Sequence, residues 1–145
     1  MQIGPFTIRA IKQYHPADSY GYRVESKSGV FVYATDAEYT EVTWEEREHH
    51  IEFFRDADVL IFDAAYSLVE AVEKLDWGHS SPFIGVEMAN DAAVKNLVLF
   101  HHDPTSKQVD VDRACKKALR FYDEMTEKNS DLNIVSAYDE MVFDI

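Results

Sequence analysis

A chain of 145 residues, 46% hydrophobic and 13% aromatic with only five glycines and four prolines, has the composition of one folded domain and excludes a collagen-like or low-complexity polymer. Its 14 basic and 27 acidic residues give a formal net charge of -13 without any Lys/Arg cluster. That balance disfavours nonspecific binding to a nucleic-acid backbone and favours partners with basic surfaces. The opening MQIGPFTIRAIK holds neither a signal-peptide core nor a membrane-spanning run, and Cys115 has no second cysteine for an internal disulfide, so a cytoplasmic location without membrane association is expected.

In chain order, FTIRAIKQY (Phe6 to Tyr14), YGYRVES (Tyr20 to Ser26) and GVFVYAT (Gly29 to Thr35) read as three antiparallel strands, the last two joined by a hairpin at Lys27-Ser28-Gly29. TWEEREHHIEFFRD (Thr43 to Asp56) changes to a helical period, with Thr43 and Glu46 spaced as a capping box and Trp44, Ile51 and Phe54 on one face. ADVLIFDA (Ala57 to Ala64) is a short apolar run that suits a strand buried on both sides, and YSLVEAVEKL (Tyr66 to Leu75) is a short helix or structured loop.

Ser81 and Pro82 are an N-cap and first-turn proline for a helix through Val94, with Ile84, Met88 and Ala92 inward. NLVLFHH (Asn96 to His102) is a second apolar strand, and Asp110 to Lys128 is an amphipathic helix with Val111, Ala114, Ala118, Phe121 and Met125 along one stripe. LNIVSA (Leu132 to Ala137) and EMVFDI (Glu140 to Ile145) read as two closing strands. The sum is an α/β fold, one mixed sheet of about seven strands covered by helices, with no internal domain boundary between residues 1 and 145.

Four polar residues sit where strand patterns stop: His15 after IKQY, Asp36 after VYAT, Asp63 within LIFDA, and His101 after LVLF. Strand ends that meet at one sheet edge bring distant residues together. Imidazole and carboxylate ligands suit Zn(II), Mn(II) or Fe(II). His15 and Asp36 also serve as loop caps or turn formers, whereas Asp63 and His101, bounded by apolar residues, need partners once buried. At most one of His101 and His102 points into a given site if the strand continues.

His79, in DWGHSSP, is either a loop histidine before an N-cap or a proton donor oriented by Asp63. His49 and His50 lack the HExxH spacing and are expected on a helix surface, while Asp103-Pro104 reads as turn chemistry.

The ordered segments KQYHPADSYGYRVES, VFVYATDAEY, DVLIFDAAY, WGHSSPFIGVEMA and NLVLFHHDP resemble the metallo-beta-lactamase superfamily, in the branch of tRNA 3-prime-end-processing endonucleases and related phosphodiesterases. By that resemblance His15 is the third-motif histidine of the first metal, Asp36 the bridging carboxylate, and His101 the terminal-motif histidine of the second metal. Asp63 stands at the acidic position of a His-Glu-Ala-Thr segment, with aspartate in place of glutamate. His79 matches the histidine of a Gly-His-Ser segment, the pair assisting phosphodiester cleavage.

The family's His-x-His-x-Asp-His motif has no counterpart here. The resemblance therefore implies the C-terminal half of an αββα sandwich. It further implies half of a two-ion Zn(II) or Mn(II) site, incomplete or empty in this chain alone. An apolar sheet face is then expected to be covered by a second copy or by a complementing N-terminal half.

The implied activity of the complete assembly is metal-dependent hydrolysis of a small phosphodiester rather than of a nucleic acid. The final histidine motif continues as HHDPTSK rather than with the family's serine and Arg-Tyr, and the charge of -13 also argues against a polyanion. The alternative is a noncatalytic interaction or assembly module that keeps part of the hydrolase fold.

Overall fold

The computed structural model describes residues 1–39 and 43–144. Seven strands form one sheet in chain order: β1 (Gln2–Ile3), β2 (Phe6–Gln13), β3 (Ser19–Glu25), β4 (Val30–Ala34), β5 (Val59–Asp63), β6 (Asn96–Phe100) and β7 (Asn133–Ser136). Helices α1 (Trp44–Phe54), α2 (Leu68–Glu73), α3 (Pro82–Asp91) and α4 (Gln108–Glu124) lie between the later strands. The first four strands pair antiparallel and the last four parallel, so the sheet changes character at β4. Tight turns suffice for antiparallel neighbours, whereas each parallel pair needs a crossover, which the helices supply.

Local chemistry explains the boundaries. The β3–β4 turn closes because Ser26 Oγ accepts from the backbone N–H groups of Ser28 and Gly29 at 3.1 and 3.3 Å. Thr43 and Glu46 cap α1 reciprocally, and Ser67 and Glu70 do the same for α2. Ser81 accepts from Ile84 N–H ahead of Pro82, which lacks the donor that the first helical turn would leave unpaired.

The core lies between one sheet face and the helices. Val32, Ala34, Leu60, Phe62, Leu97, Leu99 and Ile134 alternate along β4 to β7 toward Ile51 and Phe54 of α1, Ile84, Met88 and Ala89 of α3, and Ala118 of α4. Each large aliphatic or aromatic side chain buried there contributes about 1.5–3 kcal/mol relative to exposure. The opposite face presents Phe31, Tyr33, Val59, Ile61, Val98 and Phe100, which share an apolar cavity of about 400 Å³ with Ala137, Tyr138, Met141 and Phe143. Val59 and Val98 are closed off, while Tyr33 and Phe100 remain open to solvent.

Several expectations are corrected. The reading of the chain as only the C-terminal half of a sandwich gives way to an α/β domain with its own sheet and core, continuous from residue 2 to residue 136. A second closing strand is not formed by Glu140–Asp144, and Ile145 lies outside the described residues. Glu140 takes a positive φ of 65°, which breaks an extended run, and Met141 and Phe143 of this tail turn onto the open sheet face instead.

β1 escaped the sequence reading because two residues are too short to show a period. In α1, Trp44 is exposed and His50 is buried, the reverse of their expected sides. His50 Nδ1 bonds Glu46 O at 2.8 Å and its ring meets Tyr39 edge-on, which gives an amphipathic ring an interior place.

Candidate metal centre

Strand direction assembles the site. β4, β5 and β6 are parallel neighbours, with Ala34 opposite Phe62 and Asp63 opposite Phe100, so their C-terminal ends lie side by side. β2 and β4 are each antiparallel to β3 and therefore run the same way, which brings the end of β2 to the same edge. His15, Asp36, Asp63 and His101 consequently follow or end four strands at one edge of the sheet. Asp36 and His101 both take left-handed backbone conformations, each with φ of 56°, as the chain leaves its strand.

Asp63 is the hub of this edge. Its side chain is completely buried and accepts five hydrogen bonds. Oδ2 takes Asp36 N–H at 2.9 Å, Ala37 N–H at 3.4 Å and His79 Nδ1 at 3.0 Å. Oδ1 takes Ser80 N–H at 3.1 Å and Ala65 N–H at 3.2 Å. A buried carboxylate persists only when its lone pairs are met in this way. Ser80 Oγ adds a bond to Ala37 O at 2.7 Å, so the β4 and His79 loops are tied together twice.

His79 stands at the centre. Its ring stacks on His101 at 5.0 Å and meets His15 and Tyr66 edge-on, each at 5.5 Å. The hydrogen bond to Asp63 raises its pKa from the ordinary histidine value against the opposing effect of burial, and the charges of Asp63, Asp36 and Glu38 add to the rise. His101 Nε2 lies 3.5 Å from Asp36 Oδ1. His102 turns away and lines the cavity between α2 and α4 instead.

Two groups of three metal-ligand side chains converge among the described residues: His15, Asp36 and His79, and Asp63, His79 and His101, the ligand atoms of each group within 4.8 Å of one another. The expectation of a half-site, incomplete or empty in this chain, is thereby corrected, since each group is assembled from this chain alone. The sequence-predicted trio of His15, Asp36 and His101 is divided between the two groups, with His79 shared by both.

The first group fits a divalent cation of the zinc type: two imidazoles and a carboxylate, all partly accessible. Its His79 shows the arrangement common among metal-binding histidines, one ring nitrogen held by a carboxylate and the other left for the ion. In the second group the Asp63 oxygens are already engaged by the five bonds above.

Sequence reasoning missed Glu38, Ser80 and the tightness of Gly78. Glu38 is one of 27 acidic residues and carries no local signal. Gly78 has φ of 84°, and a Cβ placed there would lie 2.3 Å from His15 Cδ2. The signal available was its position immediately before a histidine.

Known proteins resemble this chain in sequence and fold. A family model described as beta-lactamase superfamily domain matches residues 2–102. The probable metallo-hydrolase YhfI of Bacillus subtilis (strain 168) is 30% identical over 101 residues, 70% of this chain and 38% of its own length. A ribonuclease Z of Prochlorococcus marinus (strain NATL1A) is 37% identical over 73 residues, half of this chain and 21% of the enzyme.

Among solved structures, the metallo-beta-lactamase fold protein YhfI from Bacillus subtilis superposes with a TM-score of 0.67 and 25% identity over 93% of this chain and 48% of that one. The short form of human tRNase Z gives a TM-score of 0.59 at 22% identity, covering 72% of this chain and 38% of that one, which speaks to fold alone. The chain thus spans about half or less of the length of these relatives. The family match covers residues 2–102 and takes in every strand end that bears a candidate ligand. With 101 residues matched, the chain belongs to the beta-lactamase superfamily domain family.

Proposed function

We propose that this chain carries the metal site of a phosphodiester hydrolase. The observation that carries the reading is the convergence of His15, Asp36 and His79 within 4.8 Å at the C-terminal edge of the sheet. Hydrolytic relatives that include ribonuclease Z support the reaction class. A bound divalent cation supplies Lewis-acid polarisation of a phosphoryl oxygen and lowers the pKa of water.

The chain's own residues do the rest. His15 and His79 offer imidazole nitrogens and Asp36 a carboxylate oxygen. Asp63 fixes the His79 tautomer by accepting at Nδ1, which leaves Nε2 directed to its task. His101, stacked on His79 and beside Asp36, is placed to hydrogen-bond a phosphoryl oxygen. A second reading keeps His79 as proton donor to the leaving oxygen; the same Asp63 bond favours it, because that bond orients the ring for either use. A small phosphodiester suits an edge in a chain of charge -13 better than a polynucleotide does.

The test is titration of the purified chain with Zn(II) and Mn(II) by calorimetry, alongside hydrolysis of an aryl phosphodiester. Asp36→Asn is expected to weaken metal binding at least ~10-fold and to abolish turnover. A chain that binds neither ion would overturn the reading and leave a noncatalytic interaction module.

A further inference from the structure

One buried acid at this edge belongs to neither ligand group. Glu38 is only 3% exposed, and such a carboxylate must be held by donors. Both its oxygens reach across to the loop that delivers His79: Oε1 accepts Asp76 N–H at 3.2 Å and Oε2 accepts Gly78 N–H at 3.0 Å. We propose that Glu38 is the positioning residue that sets where His79 stands, an inference that rests on the reading of His79 as a working group.

The loop cannot hold itself. Asp76 and Gly78 both have positive φ, 66° and 84°, so the segment has no regular ladder to satisfy its N–H groups. Among the described residues, Trp77 N–H to Lys74 O at 3.2 Å ties the start of the turn, and Tyr66 N–H to Ser80 O at 3.0 Å and Ser80 N–H to Asp63 Oδ1 at 3.1 Å tie the chain beyond His79, which leaves the N–H groups of Asp76 and Gly78 to Glu38. Glu38 replaces the missing acceptors at both left-handed residues, and the second of them directly precedes His79.

Glu38 is itself fixed from the opposite side. Its backbone N–H donates to Tyr14 O at 3.0 Å, and the Tyr14 hydroxyl bonds the Asp76 carboxylate. The same residue therefore locks the His15 loop, the Asp36 loop and the His79 loop into one block. That lock explains the close approach at Gly78, where His15 Cδ2 and Pro16 Cδ fill the space that a Cβ would need. Distances between His15, Asp36 and His79 are then set by three loops that meet at one residue, through its carboxylate on the His79 side and its backbone N–H on the His15 side.

Chemistry makes the proposal testable without catalysis. Two N–H donors need two acceptor oxygens, so Glu38→Gln keeps the shape and loses one acceptor, setting an amide NH₂ against a backbone N–H. Glu38→Asp keeps both acceptors and draws them back by one methylene. In the full chain, nitrogen NMR of the His79 imidazole reports its tautomer and its bond to Asp63, calorimetry reports Zn(II) affinity, and thermal melting reports the fold.

Glu38→Gln is expected to release the His79 ring into faster exchange, to weaken Zn(II) binding ~10-fold, and to lower kcat with little change in KM, with Glu38→Asp intermediate. Variants that melt earlier yet keep the wild-type His79 spectrum and Zn(II) affinity would assign Glu38 a purely structural role and overturn the inference. His79→Ala separates the two readings. If its loss leaves Zn(II) affinity and turnover unchanged, the functional reading of His79 fails, whereas the imidazole spectrum of the Glu38 variants still decides the positioning role.

Discussion

Two aspartates at opposite ends of β5 do different work with the same functional group. Asp58, just before the strand, accepts Val30 N–H at 2.7 Å and Lys95 Nζ at 2.7 Å, joining the starts of β4 and β6. Asp63, at the strand's last position, joins the ends of β4 and β5 to the His79 loop through five bonds. The Asp58 side chain is 20% exposed and that of its partner Lys95 62%, whereas Asp63 is sealed from solvent. The comparison separates fastening from site building: water shares the load at the N-terminal edge, while the C-terminal edge concentrates charge, strain and buried donors where a ligand would bind.

Removing the sealed acid is expected to cost most. Asp63→Ala leaves the N–H groups of Asp36, Ala37, Ala65 and Ser80 without their acceptor, and a loss of about 3–5 kcal/mol in urea denaturation is expected. Zn(II) affinity should fall with it, because His79 loses its anchor. A loss no larger than that of an Asp58 variant would break the comparison.

Gly78→Ala should come next, at about 1–3 kcal/mol, from a side chain forced into a left-handed backbone against His15. Weaker metal binding at temperatures where the variant remains folded would sharpen the distinction between stability and site geometry. Calorimetry beside a melting curve reads both.

Asp58→Asn is expected to have the smallest effect and to leave metal binding unchanged. Burial alone would raise the Asp58 pKa, but the Lys95 ammonium and the Val30 N–H outweigh it and hold the carboxyl below its ordinary value. Since the folded-state pKa is the lower one, the stabilising contribution is present above the ordinary aspartate range near about pH 4 and disappears as pH falls through the folded value. Denaturation midpoints measured across that acid range should converge for wild type and Asp58→Asn. Midpoints that stay apart below it would show that the carboxylate's charge is not what stabilises this edge.

Much of this fold was legible locally. Thr43 with Glu46 and Ser81 with Pro82 announced two helix starts, because a cap involves neighbours a few residues apart and uses side chains that do little else so well. The apolar runs in Val59–Asp63 and Asn96–Phe100 announced buried strands for a similar reason, since a strand covered on both faces has no polar side to show. The C-terminal EMVFD misled because a short apolar run suits a tail lying on an open sheet face as well as a paired strand. His50 misled because its residue type and its place beside His49 suggested the helix surface, although it stands four residues before Phe54 on the inward face, where its ring meets Tyr39.

By itself, then, the sequence determined which residue types stand at strand ends, and motif order related His15, Asp36, Asp63, His79 and His101 to one family. Only the tertiary structure decided that His79 belongs to both ligand groups, that Asp63 serves as the buried acceptor for three loops, and that Glu38 reaches across 40 residues to Gly78. The physical reason lies in range. Caps and strand periods are set by neighbours in the chain, whereas a metal site depends on the direction and register of strands paired across the sheet, which no local pattern encodes.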